Sequence, residues 1–268
     1  MKSVLNQGAV DLEYFVIDGG STDGSVEIIR RYADRLAFWR SHPDGGQMDA
    51  IQDGFDRSTG DIMGWLNSDD MLTPWALRTV EDIFTAFPQV EWLTARYPLL
   101  MDERDILIAT RHTEGFNPKA FFRGRNTRLN PGFYSCYIQQ ESTFWRRSLW
   151  EKAGARLDRS VHVAGDFEIW SRYFQIAELF AVNIPLGIFR YQDQSFTARE
   201  MGTYLEECRL ILRERGARMP TAAECRLRRI LRLLPRRLFR FLPLAYAAPI
   251  IAHTGRGGHW VAQTEWFL

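Results

Sequence analysis

The sequence predicts an α/β fold with a mostly parallel, Rossmann-like sheet flanked by helices, followed by a helical basic extension. Three observations carry this expectation. Strand-like apolar runs alternate with helical patterns over roughly residues 1–200. The first such run ends in a glycine-rich turn, so a strand, a turn and a helix form half a βαβ unit. Finally, Arg209 to Arg240 holds 11 Arg against Glu214 and Glu224, while the whole chain sums to only +1. The body is therefore mildly acidic, and residues 201–268 form a separate basic region.

The elements follow in order. Leu12–Ile17 is aromatic and β-branched and stops at DGGSTDGS (18–25), which reads as a buried strand and a tight turn. In VEIIRRYADRL, Val26, Ile29, Tyr32, Ala33 and Leu36 have helical spacing, with Asp23 or Ser25 as cap. Met48, Ile51 and Phe55 share one face of a short helix within residues 44–61. Ile62–Leu66 reads as a strand ending at NSDD (67–70). Thr73 fits an N-cap and Pro74 the first helical position. Leu77, Val80, Phe84 and Phe87 form that helix's apolar face, and Pro88 stops it. Val90–Ala95 and Ile138–Trp145 read as strands. Residues 96–137 give no firm assignment. RRSLWEKAG is a helix closed by Gly154, and Asp166–Ala177 is an amphipathic helix bearing Phe167, Trp170, Tyr173 and Phe174. Strands follow near 179–183 and 186–190.

In the last region, Leu227, Ile230, Leu231, Leu234, Leu238 and Leu242 fall on one helical stripe that Pro235 should kink. Two readings are open. The stripe lies on an anionic membrane surface, or it packs on the body with its arginines solvated or paired to the acidic remainder. Nucleic acid is a weaker partner, because companion motifs are missing. The apolar stretch Leu242–Ala252 is broken by Pro243 and Pro249 and falls short of the ~20 residues of a membrane span. The opening MKSVLNQGAVDLEY lacks the apolar stretch of a secretory signal. Cys136, Cys208 and Cys225 have no metal-ligand spacing, which points to a reducing compartment. No P-loop or Gly-x-Ser-x-Gly elbow occurs, and the five histidines do not cluster.

Chemistry is expected where strands end. If NSDD continues its strand, Asn67 and Asp69 share a face and Asp70 points the other way. Oxygen ligands of this kind suit Mg²⁺ or Mn²⁺, so Asp69 and Asp70 are metal candidates. They could equally cap the helix at Thr73. Asp18 begins a Gly-Gly turn that lets a ligand approach the backbone, or is a plain tight turn. Asp166 opens a helix whose dipole should keep it ionised and able to accept a proton, or is an ordinary N-cap.

Together, VIDGGSTDGS, DGGQMDAIQDGF, STGDIMGWLNSDD, QQESTFWRRSLWEKAG and AGDFEIWSRY resemble a family 2 glycosyltransferase, in that family's order, over roughly residues 1–195. The resemblance implies a GT-A fold, a nucleotide-sugar donor, a divalent cation and inversion at the anomeric carbon. It implies that Asp18 binds the donor base, and that Gln47 and Asp49 line the nucleotide pocket. Asn67 and Asp69 match its Asp-X-Asp element, with Asn replacing the first acid; Gln140 and Glu141 face the acceptor, and Asp166 is the base. A UDP-sugar donor, a glycan or lipid-linked acceptor and surface-polysaccharide synthesis at the cytoplasmic face of a membrane follow as expectations. Relative to the family pattern, an opening strand and turn of about 20–30 residues are absent before MKSVLNQ, so the expected domain of residues 1–200 is N-terminally truncated. Low stability and impaired donor binding would follow, through a mis-set start or a shortened chain. A histidine common near Gln192 is also absent from YQDQSFT (191–197), which removes an extra metal or phosphate contact. The alternatives are a non-catalytic remnant that binds a nucleotide or partner, and a nucleotidyltransferase.

Overall fold

The computed structural model describes residues 1–8, 11–110, 112–127, 129, 137–192, 199–255 and 258–268. Cys136 and most of the 191–197 segment lie outside the described residues. In chain order the elements are α1 (Lys2–Leu5), β1 (Phe15–Asp18), α2 (Ser25–Arg30), β2 (Phe38–Ser41), α3 (Gln47–Arg57), β3 (Ile62–Met63), β4 (Met71–Leu72) and α4 (Ala76–Ala86). Next come β5 (Trp92–Ala95), β6 (Leu99–Met101), β7 (Leu107–Thr110), α5 (Pro118–Phe121), β8 (Thr143–Arg146), α6 (Arg147–Lys152) and α7 (Gly165–Tyr173). The chain continues through β9 (Leu179–Val182), β10 (Gly187–Arg190), α8 (Met201–Glu214), α9 (Ala222–Leu231), a 3-10 turn (Arg236–Phe241), β11 (Tyr246–His253) and β12 (Trp260–Phe267).

The central sheet has the order β12-β11-β9-β5-β8-β3. It is mixed rather than mostly parallel: β11–β9 and β5–β9 are parallel, whereas β8 runs antiparallel to both β5 and β3. The short connection between β11 and β12 can only make a hairpin, which adds a third antiparallel pair. A second sheet has the order β4-β10-β6-β7, and among the described residues β1 pairs only with β2, in parallel.

Several expectations are corrected. The helix after NSDD starts at Ala76, and Thr73 does not cap it. The buried Thr73 hydroxyl instead donates to the carbonyls of Pro185 and Leu186, at 3.1 and 3.2 Å. The strand expected to reach Leu66 ends at Met63, so residues 66–70 form a turn and strand alternation does not orient NSDD. The C-terminal region is helical only in part. Its last stretch is the β11–β12 hairpin, which joins the central sheet through Ile250↔Ala181 and Ile251↔Val182. Pro249 sits where the ladder to β9 stops, so its missing N–H costs no bond there. A bidentate pair from the buried Arg96 to Glu265 fastens the hairpin to β5's end. Among the described residues no helix is long and apolar enough to cross a membrane.

The core under the central sheet is aromatic. Trp170 of α7 stacks on Trp92 at 5.5 Å and on Trp65 at 6.2 Å, and meets Trp145 edge-on at 5.6 Å. Phe167 of the same helix stacks on Phe121 at 4.6 Å. Offset and edge-on pairs of this kind add to the burial of large apolar surface. They fix α7, and with it Asp166, against the sheet. Trp170→Ala should therefore destabilise the fold by about 3–5 kcal/mol, read from the urea midpoint, whereas a loss under ~1 kcal/mol would mean that α7 is held by other contacts.

Candidate active site

A single open cleft runs along the ends of β1, β3 and the 140s segment, with a volume of about 2830 Å³. That is well above the ~300–1,000 Å³ of a fitted small-molecule pocket. The excess arises because two regions merge. One is an apolar trough between β1 and β3 lined by Tyr14, Val16, Ile62, Leu66 and Phe84. The other is a polar end that contains every site residue expected from the sequence: Asp18, Gln47, Asp49, Asn67, Asp69, Asp70, Gln140, Glu141 and Asp166.

Asp18 ends β1 and organises the turn after it. Its Oδ2 accepts from the amides of Gly20 and Ser21 and the Ser41 hydroxyl, at 3.0, 2.9 and 2.6 Å. Its Oδ1 carries only the Ser21 hydroxyl, at 2.5 Å. Burial pushes this carboxyl up, but the hydrogen bonds outweigh it and hold the pKa at about 2. Asp18 is therefore a fixed anion with acceptor capacity left on Oδ1.

Gln47 and Asp49 lie in the first turn of α3. The chain enters that helix through Gly46 at φ 111, and a side chain on Gly45 would collide with the Asp49 carboxylate. Gln47 Nε2 donates to Asn67 Oδ1 at 2.9 Å, which ties α3 to the NSDD turn. Asp49 pairs with the exposed Arg159 at 2.7 Å. Arg159 also lines the cleft, and nothing in its local sequence pattern marks it out.

Within the NSDD turn the two acids differ. Asp70 is buried, and its Oδ1 accepts the Arg190 amide at 3.0 Å while Oδ2 accepts from Asn67 at 3.3 Å. Burial, reinforced by the Asp69 charge, pushes its pKa to about 7. Asp69 is half-buried, and among the described residues no hydrogen bond or ion pair ends on its carboxylate. The Arg190 guanidinium clamps the turn from behind. Its Nε donates to the Asp69 carbonyl at 2.9 Å, and its Nη1 bonds Asp105 on the β6–β7 hairpin. Arg190 was not legible as a site residue, because its partners lie about 85 to 121 positions away.

No group of three His, Cys, Asp or Glu that could hold a metal occurs among the described residues. The oxygens available are the open Asp69 carboxylate and the engaged Asp70 and Asn67. This all-oxygen set fits a hard divalent cation that takes its remaining ligands from a bound phosphate.

Gln140 and Glu141 form a buried 3-10 turn ahead of β8. Gln140 Nε2 donates to the Trp65 carbonyl, and its Oε1 is buried without a partner among the described residues, as is Glu141 Oε1. Burial, and then the charges of Asp70, Asp166 and Asp69, push Glu141 well above the ordinary carboxylate range. Glu141 thus senses acids from two other chain segments. Glu141 is the one that keeps its proton.

Asp166 sits in the first turn of α7, with its Oδ1 accepting the Phe167 amide at 2.7 Å. The expectation that the helix dipole keeps its pKa low is corrected. Burial wins and pushes it to about 6. Tyr204 and Cys208 of α8 lie near enough to interact with it, and burial keeps both neutral. The loop before α7 is held by Glu207, whose carboxylate accepts the amides of His162, Val163 and Ala164 at 2.8, 2.9 and 2.8 Å. A side chain on Gly165 would collide with the Met48 sulfur, so this glycine sets how closely α7 approaches α3.

The profile of glycosyl transferase family 2 matches residues 1–152. The chain belongs to that family. Among curated relatives, an uncharacterized glycosyltransferase of Nostoc sp. is 27% identical over 158 residues, covering 57% of this chain and 47% of its own length. One from Mycobacterium tuberculosis is 41% identical over 59 residues, 22% of each chain. The chain thus spans less than half the length of these relatives. Its fold is that of the GT-A glycosyltransferases. It covers 90% of this chain and 67% of Staphylococcus aureus TarS 1–349 in complex with UDP, with TM-score 0.57 and 13% identity. A Pyrobaculum calidifontis mannosyltransferase in complex with GDP-Man and Mn²⁺ aligns over 79% of this chain and 56% of its own, with TM-score 0.50 and 17% identity.

The raised pKa of Asp166 has a consequence for stability. Its ordinary value is 3.8 and its folded value about 6. Its stabilising contribution is therefore complete below pH ~4 and lost as pH rises through ~6. Asp166→Asn should match the parent in thermal stability near pH 4 and exceed it at pH 8 by about 2 kcal/mol, roughly 5 °C in melting temperature. A variant less stable than the parent at pH 8 would contradict the burial of this charge.

Proposed function

We propose that this chain transfers a sugar, with inversion, from a nucleoside-diphosphate donor to a hydroxyl of a glycan or lipid-linked acceptor. A UDP-sugar is the first candidate donor, and surface-polysaccharide synthesis at the cytoplasmic side of a membrane is the setting. The observation that carries this reading is Asp166, a carboxyl with pKa near 6 that shares a cleft with the open Asp69. A base of that pKa is ionised at neutral pH yet basic enough to take a proton in the transition state. Family membership and the likeness to GT-A structures with bound UDP or GDP-Man support the donor class.

The residues divide the work physically. Asp18 offers Oδ1 to an N–H of the donor base. Gln47 and Asp49, at the start of α3, wall the nucleotide, and Arg159 faces the same space with a positive charge. Asp69, flanked by Asn67 and Asp70, would hold a divalent cation through oxygen. When bound, that cation supplies charge neutralisation for the departing diphosphate. Gln140 turns a buried, unpartnered Oε1 toward the acceptor side, and Glu141, keeping its proton, adds hydrogen-bonding capacity without further negative charge. Asp166 accepts the acceptor hydroxyl's proton as the new C–O bond forms on one face of the anomeric carbon. The bond to the diphosphate breaks on the other face, which gives inversion.

The test is transfer and donor hydrolysis over a panel of nucleotide sugars with Mn²⁺. Asp166→Asn should lower kcat by about 10²–10⁴-fold with little change in donor KM. In the parent, kcat should fall as pH drops through ~6, because protonated Asp166 cannot act as base. Asp69→Asn should weaken donor binding chiefly in the presence of metal. Full activity of Asp166→Asn would refute its role, and UDP binding without turnover in the parent would favour a nucleotide-binding protein.

A further inference from the structure

Helix α9 turns Arg228 toward the body, followed by Arg232 just past its end, and leaves Leu227 and Ile230 in solvent beside Arg226 and Arg229. Arg228 is 2% exposed, whereas Leu227, Ile230 and Leu233 are 47%, 63% and 85% exposed. In the following 3-10 turn Phe239 is buried, whereas Phe241 is 69% exposed beside the exposed Arg236, Arg237 and Arg240. This orientation is fixed by specific contacts. The helix opens with a capping box between Thr221 and Glu224, and Glu224 also pairs with Arg123 at 2.6 Å. Arg228 donates to the Tyr246 hydroxyl at 2.8 Å, with its guanidinium 4.6 Å from that ring. Arg232 donates to the Leu268 carbonyl at 2.6 Å. These bonds use the inward face and leave Leu227 and Ile230 outside.

The exposed surface is also strongly cationic. Arg226, Arg229, Arg236, Arg237 and Arg240 are all exposed on α9 or the turn. No Asp or Glu occurs from residue 225 to 264. Apolar side chains ringed by arginines suit one kind of surface, an anionic lipid bilayer: the leucines and Phe241 enter the acyl boundary while the guanidinium groups meet phosphates. A second copy of this chain would bring like charges together, which disfavours self-association.

We propose that α9 and the Arg236–Phe241 turn form a membrane foot that docks the enzyme on an anionic bilayer. The foot lies beside the cleft. Arg232 and Arg236 approach Glu114 at 3.6 and 3.7 Å, and His112, two residues away, lines the cleft. Docking would therefore bring the cleft near the lipid surface. The inference goes beyond glycosyl transfer and does not depend on it.

The experiment is sedimentation of the full chain with phosphatidylcholine vesicles, with and without phosphatidylglycerol, at low and high salt. Binding should require phosphatidylglycerol and weaken at high salt. Leu233→Ser combined with Ile230→Ser should weaken it at least ~tenfold, and so should Arg229→Gln combined with Arg237→Gln. These positions are exposed, so both variants should keep the parent's melting temperature and its hydrolysis of soluble donor. No binding at low salt, or equal binding to neutral vesicles, overturns the proposal. So does a parent dimer by light scattering that Leu233→Ser with Ile230→Ser makes monomeric. An inactive parent that still binds vesicles would refute the proposed reaction and leave the foot intact.

Discussion

The site depends on holding carboxyl groups together in a partly dry cleft, where they repel one another and lose solvation. Asp70, Glu141 and Asp166 are all pushed above the ordinary carboxylate range, and burial is the leading cause for each. An arrangement of this kind is unfavourable on its own and persists only if the surrounding packing over-determines it. The Trp65–Trp92–Trp145–Trp170 cluster supplies that packing. It grips α7 from below and positions Trp65, whose carbonyl receives the Gln140 amide.

The precision of the site comes from residues that do no chemistry. Glu207 gathers three amides ahead of α7 and so aims Asp166 from a different helix. Arg190 fixes the turn that presents Asp69, and joins it to the β6–β7 hairpin through Asp105. Met48 meets Gly165 where α3 crosses α7, and this contact sets the distance between α3 and Asp166. Each is a long-range contact between a short polar or flexible side chain and backbone. Loosening any of them would move a carboxylate without unfolding the protein.

Local signals in the sequence were reliable where local geometry decides the outcome. The turn after Asp18, the 47–57 helix with its apolar face and the Gly154 stop at φ 100 all follow from side-chain size and backbone freedom. The acids that line the cleft could be picked out because they sit at such turns. What could not be read is how those turns face each other, since that is decided by partners far away in sequence. Thr73 has the chemistry of a cap, yet its hydroxyl finds carbonyls more than 110 residues on. Ile62–Leu66 has the composition of a strand, yet only Ile62 and Met63 find a partner in β8. The raised pKa of Asp166 likewise reflects burial, and the Tyr204 and Cys208 that interact with it lie some 40 residues on, which no inspection of GDFEIW could reveal.

The last helix shows the limit most sharply. Periodicity identifies two faces of a helix but not which one is turned inward; that sign is set by the surfaces on offer. Burying the leucines of α9 would gain apolar contact, but it would turn Arg228 away from Tyr246 and Arg232 away from the Leu268 carbonyl. It would also strand the buried Tyr246 hydroxyl without that donor, a cost comparable to the gain from one leucine. The helix start is pinned as well, because Glu224 serves both the capping box and Arg123. With the start fixed and two arginines engaged inward, Leu227 and Ile230 face outward by geometry. Apolar side chains held in water by polar bonds elsewhere are a cost to the isolated protein. A bilayer that receives them would turn that cost into binding energy.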